Sequence, residues 1–154
     1  MNNEMGNKAN ESEMINLLNG FLSDNQIYYQ NIRGLHWNIV GQQFLNLHVK
    51  LEELYTASAL DVDEIAERIR MLGATPLHTF EDYISVAKLQ VAKDISDETE
   101  AIKTALANIE FLVKEAKAIF KKADEVTDIG TTDLLSRYIL EAEKNIWMLK
   151  ASLK

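Results

Sequence analysis

The stretch GLHWNIVGQQFLNLHVKLEELYTASALDVDEIAERIRMLGATP, Gly34–Pro76, decides the fold. From Leu47 onward, Leu51, Leu54, Ser58, Val62, Ile65, Ile69 and Leu72 recur in steps of three and four. That period marks a long amphipathic helix with one stripe turned to a core. The helix stops at Gly73, which supplies a left-handed cap, and Pro76 cannot continue it. Upstream, Gly41 within NIVGQQ marks a short break from an earlier helix.

That earlier helix runs from Glu11 to Trp37, with Met14, Leu17, Leu18, Phe21, Leu22, Ile27, Tyr28 and Ile32 at helical spacing. Downstream, a short helix near Phe80–Ala87 sits inside a long connection. A third long helix runs from about Asp97 to Lys122, capped by Ser96 or Asp97. The acidic segment ADEVTDIGTTD reads as a turn, and a fourth long helix follows from Thr132 to Leu153. Four long helices with one long link make an all-α four-helix bundle, with a short extra helix between the second and third long ones. Residues 1–10 read as a flexible tail and residues 11–154 as a single domain.

Bulk properties agree. Apolar residues make up 47% of the 154, enough for a real core, and charged residues 26%. Six Gly and one Pro are too few for a many-stranded β fold. The absence of cysteine excludes disulfides and thiolate metal sites and points to a reducing cytoplasm. No basic region followed by an apolar run opens the chain, and no apolar run approaches a membrane span. The net charge of −8 disfavours a nucleic-acid partner and suits cations.

The chemistry lies in two histidines and two carboxylates. His48 follows His36 by twelve residues, Asp63 follows His48 by fifteen, and Glu67 follows Asp63 by four. On a wheel of about 100° per residue, His48, Glu52, Asp63 and Glu67 fall about 100° to 200° from Leu47. They share one flank with Tyr55, Ala59 and Ala66, a mixture that suits a packed partner. Along a helix, however, His48 and Asp63 are roughly 22 Å apart. No single transition-metal ion spans that, with ligand bonds of about 2 Å. His36 and His48 form one half-site across the Gly41 break, and Asp63 with Glu67 forms another. The halves either serve separate ions or meet in trans, where two second helices lie antiparallel about a two-fold axis.

Plainer readings stand beside these. His78 reads as a packed or surface histidine, and Glu64 with Arg68 as an ordinary i,i+4 pair. Glu52 either extends the histidine half-site or belongs to a solvated face. Asp63 and Glu67 repel each other by a few tenths of a kcal/mol at i,i+4; a cation between them removes that cost, although exposed helices tolerate it. Trp37 and Trp147 read as core or interface anchors. There is no Glu-x-x-His, no H-E-x-x-H, no phosphate-binding glycine loop and no G-x-S-x-G. A helical bundle that serves only protein interaction remains a reading of the residues alone.

LHWNIVGQQFLNLH, DVDEIAERI and NIWMLKA, within roughly residues 11–152, resemble the Dps family of mini-ferritins. The resemblance implies a hollow twelve-subunit shell whose ferroxidase ligands are His36 and His48 of one chain with Asp63 and Glu67 of its two-fold mate. It implies Fe(II) and hydrogen peroxide as substrates, Fe(III) mineral as the product, and protection from oxidative damage. Family members often carry a carboxylate where Glu52 stands, near a weaker iron position; the family's is often the shorter Asp. Asp124, Asp128 and Asp133 are the corresponding expectation for acidic pores. Many relatives bind DNA through a lysine-rich tail, which this chain lacks. Twelve copies at −8 carry about −96, so weak or absent DNA binding is expected, against the alternative of a nucleoid-compacting protein with secondary iron handling.

Overall fold

Four amphipathic helices escape water only by turning their stripes toward one another. The computed structural model describes the backbone of residues 2–154 and the side chains of residues 10–154. Its helices are α1 (Asn2–Asn38), α2 (Phe44–Met71), α3 (Phe80–Val86), α4 (Glu98–Glu125) and α5 (Ile129–Ser152). Short turns join α1 to α2 and α4 to α5, and the long link carrying α3 crosses the bundle between the two hairpins. Leu18, Phe21 and Ile32 of α1, Leu51, Ile65 and Ile69 of α2, Leu112 of α4 and Leu135 of α5 are fully buried at the centre. Phe21 meets Tyr138 edge to face, with ring centroids 5.0 Å apart. The expected flexible tail falls on residues whose side chains, up to residue 9, lie outside the described residues; the backbone of residues 2–10 continues α1.

The chain reverses at the ends of α2 and α4 by the same device. At the first, Gly73 takes φ +85°, its N–H donates to Arg70 O (2.9 Å), and Ala74 N–H donates to Ile69 O (3.2 Å). These paired bonds are a Schellman closure. At the second, Thr127 takes φ +58°, with Thr127 N–H to Asp124 O (3.0 Å) and Asp128 N–H to Ala123 O (2.8 Å). No glycine announces this turn, so most of the segment read as an acidic turn is helical. Asp124 lies in the last turn of α4 and Asp133 in α5. Asp97 and Asp128 cap α4 and α5 with their side chains, accepting from Glu100 N–H and Thr131 N–H.

Polar residues of α1 hold the link. Asn19 accepts from Leu77 N–H (2.9 Å). Asp24 accepts from Lys88 N–H (2.7 Å) and Leu89 N–H (2.8 Å), while burial raises its carboxyl pKa. Asn31 accepts from Ala92 N–H (2.8 Å) and donates to Gln90 O and Asn108 Oδ1, both at 2.9 Å. Each supplies a link backbone group with the partner that secondary structure would otherwise give.

The expected Glu64–Arg68 pair does not form. Arg68 instead reaches across to Asp128 at 2.6 Å, and Glu64 pairs with Arg137 at 3.2 Å. The Arg68–Asp128 pair ties the end of α2 to the start of α5 and is mostly shielded from solvent. Trp37 and Trp147 are not core residues, being 55% and 68% exposed in the single chain.

Two substitutions should move thermal stability in opposite directions. Asn31→Ala orphans Gln90 O and Ala92 N–H and should cost about 3 kcal/mol. Thr127→Gly removes a β-branched residue from the left-handed region and should gain about 1 kcal/mol. Calorimetric melting of both variants checks the pair; a loss of stability in Thr127→Gly would contradict the strain assigned to that turn.

Candidate metal centre

His36 lies in the last turn of α1 and His48 in the second turn of α2, so the short turn between them sets their separation. Their rings stack, with centroids 3.7 Å apart and planes 19° apart. His36 Nδ1 lies 2.8 Å from His48 O, and His48 Nδ1 lies 2.9 Å from His36 O. A carbonyl only accepts, so each Nδ1 carries the proton and donates. The Nε2 of each neutral ring is then left with its lone pair, the arrangement a metal-binding imidazole needs. Phe44 stacks on His48 (5.0 Å), and Tyr55 meets His36 edge-on (5.2 Å). His36 is 6% exposed, so its orientation is held by packing as well as by hydrogen bonding.

Glu52 stands one helical turn after His48. One donor atom from each of His36, His48 and Glu52 lies within 4.8 Å of the others. Among the described residues this is the group of three or more such side chains brought close enough to share an ion. Three donors of this kind suit a divalent transition metal with open positions. Asp63 and Glu67 are not part of it. They are exposed on the same unbroken helix, roughly 22 Å further along for Asp63. His78 is exposed, its Nδ1 3.0 Å from Pro76 O, and is not in the cluster found among the described residues.

The pore candidates divide. Asp128 is committed: its carboxylate caps α5, accepts from the Thr131 hydroxyl (2.6 Å) and pairs with Arg68. Asp133 is exposed beside Arg137 (3.3 Å), and Asp124 is exposed.

A carboxylate overlooked in the sequence lies in a cleft of about 360 Å³ between α2 and α5. Asp61 lines it with Glu64, Glu141, Arg137, Tyr28 and Tyr138. Its pKa is pushed up to about 7, first by burial and then by Glu64 and Glu141, with Arg137 opposing. The signal was present: Asp61 lies about 40° from Leu47 on the wheel, inside the apolar stripe. That places it on the side of α2 away from Asp63.

Glu52→Ala should weaken anaerobic Co(II) binding about tenfold or more, as loss of a ligand does. Titration of the Co(II) absorption bands measures this; unchanged affinity would return Glu52 to the solvated face.

Comparison with known proteins supplies the lineage. The family model for the ferritin-like domain matches residues 15–154. The chain is 37% identical over 134 residues to the DNA protection during starvation protein of Porphyromonas gingivalis, covering 87% of this chain and 84% of that one. It is 35% identical over 141 residues to DNA protection during starvation protein 2 of Bacillus anthracis, covering 92% and 97%. The crystal structure of a DPS protein from Vibrio cholerae O1, described as a member of a broad superfamily of ferritin-like diiron-carboxylate proteins, superposes with a TM-score of 0.93. That match has 40% identity and covers 95% of this chain and 92% of that one. With the four-helix bundle, its extra helix and the paired histidines already in place, this chain belongs to the Dps family of ferritin-like proteins.

Proposed function

We propose that the protein is a ferroxidase that oxidises Fe(II) with hydrogen peroxide and stores the Fe(III) as mineral inside a twelve-subunit shell in the cytoplasm. The observation that carries this reading is the His36–His48 pair. Its reciprocal hydrogen bonds prepare two lone pairs beside Glu52, while Asp63 and Glu67 stand exposed far along the same helix. Family membership and the diiron-carboxylate description of the Vibrio cholerae relative support iron as the metal.

The site is completed when two chains lie with their α2 helices antiparallel about a two-fold axis. His36 and His48 of one chain then face Asp63 and Glu67 of the other, and symmetry makes two such sites. The partly apolar flank of α2, with Leu45 at 75% and Val49 at 53% exposure, suits burial against a second copy. Neutral imidazoles hold Fe(II) without trapping it. Hard carboxylate oxygens favour the ferric product. Two Fe(II) ions give one electron each to one peroxide. Its O–O bond breaks, and the two oxygens leave as water after taking up protons. No free radical is released, which is the protective value of pairing the electrons.

Glu52 holds incoming or departing iron next to the imidazoles. Asp124 and Asp133 remain the candidates for an acidic entrance, Asp128 being occupied by its cap and its ion pair. The net charge of −8 per chain makes the shell a poor partner for DNA.

Stopped-flow absorbance of anaerobic Fe(II) mixed with peroxide tests the reading. His36→Gly/His48→Gly and Asp63→Asn should each slow oxidation by about a hundredfold while the assembly keeps a mass near 210 kDa, twelve chains of 17.5 kDa. Wild-type rates in these variants would remove the site, and a monomer or dimer mass for the native protein would remove the shell.

A further inference from the structure

The imidazole pair depends on a turn, and the turn is held by a residue outside it. Gln43 caps α2 without any side-chain cap bond of its own, and the first turn of α2 carries no acid. In a capping box, a glutamate at the third helical position returns to the N–H of the cap residue; here that position is Asn46. The bond is nevertheless made. Glu98, the first residue of α4, accepts Gln43 N–H at 2.6 Å through Oε1. Its carboxylate thus lies at the positive N-terminal ends of two helices, its own and α2.

Gly41 makes room for it. A Cβ at Gly41 would fall on the Glu98 carboxyl group, 2.6 Å from each oxygen, and Gly41 has φ +153°. The neighbouring backbone is fastened to the same segment. Val40 N–H donates to Ser96 O at 3.0 Å and forms a parallel bridge with Asp97. An uninterrupted helix would have sent Val40 N–H to His36 O. Because it goes to Ser96, His36 O is left for the His48 imidazole, which lies 2.9 Å away.

We propose that Glu98 is a positioning residue for the histidine half-site. Its carboxylate, seated on Gly41 and bound to Gln43 N–H, holds the α1–α2 turn in the one geometry that stacks His36 on His48 and leaves the His36 carbonyl free for the His48 ring. Glu98 lies outside the His36–His48–Glu52 group. It acts on affinity through the turn, as an outer-shell partner acts on a ligand. This inference rests on the metal-site reading above and adds the residue that preorganises it.

The test uses the assembled protein and anaerobic Co(II) as the probe, read by its absorption bands, with oligomer mass and melting temperature followed in parallel. Glu98→Ala should weaken Co(II) binding about tenfold and shift the band intensities, while mass is unchanged. Glu98→Gln keeps an acceptor oxygen and should stay within about twofold of wild type, the expected rescue. Gly41→Ala should weaken binding at least as much as Glu98→Ala, because its Cβ displaces the carboxylate and its φ of +153° strains the turn as well. Wild-type affinity and bands in Glu98→Ala, or wild-type affinity and bands in Gly41→Ala, would overturn the positioning role. His36→Gly/His48→Gly is the control that separates the two readings. If it leaves Co(II) binding intact, the metal site itself fails; if it abolishes binding while Glu98→Ala does not alter it, only the present inference fails.

Discussion

The interaction on which the rest depends is the exchange of hydrogen bonds between two histidines. Each ring donates from Nδ1 to the main-chain oxygen of the other, at 2.8 and 2.9 Å. One such bond would orient one ring. Two fix both rings against the opposite main chain, and their stacking at 3.7 Å restricts each ring's rotation further. They also couple the side chains to the backbone path between α1 and α2. On the proposed reading, helix packing sets the site's metal affinity as much as ligand type does.

The same logic of borrowed partners recurs through the fold. The long link has few hydrogen bonds of its own, and α1 supplies them from Asn19, Asp24 and Asn31. The start of α2 lacks an acid, and α4 supplies one from Glu98. The end of α2 is tied to the start of α5 by Arg68 and Asp128. In each case a polar group that reads as solvent-facing in its own helix completes the backbone or charge of another. Such bonds are worth little singly, but breaking one leaves a shielded group without a partner.

The difference between what the residues reveal and what they hide follows from this. The Leu47–Leu72 stripe is legible because hydrophobic period is local, and the long helices follow within a few residues except at the start of α1, which begins at Asn2 and not at Glu11. Gly73 announced its turn, whereas Thr127 made the same turn without a glycine, and the boundary there was misread. The neighbourhood of His36 and His48 was readable from the short break between their helices, but their reciprocal bonding was not, since it depends on where Val40 N–H goes. Glu98 is hidden for the same reason, since it acts from the far end of the link. Asp61 is legible as an acid inside the apolar stripe, but the cleft that encloses it forms only when α5 packs against α2. Glu64 and Arg68 show the opposite error: a plausible i,i+4 pair lost to stronger partners on another helix.

The central claim is that the two half-sites meet between chains, and complementation measures it directly. Two variants, one lacking His36 and His48 and the other lacking Asp63 and Glu67, are refolded together in equal amounts. In a mixed two-fold pair, one site receives both intact halves and the other receives none. Random pairing should then restore about a quarter of the wild-type Fe(II) oxidation sites, although each variant alone is inactive. Co-assembled protein of the expected mass with no restored oxidation would contradict the account and place the site within single chains.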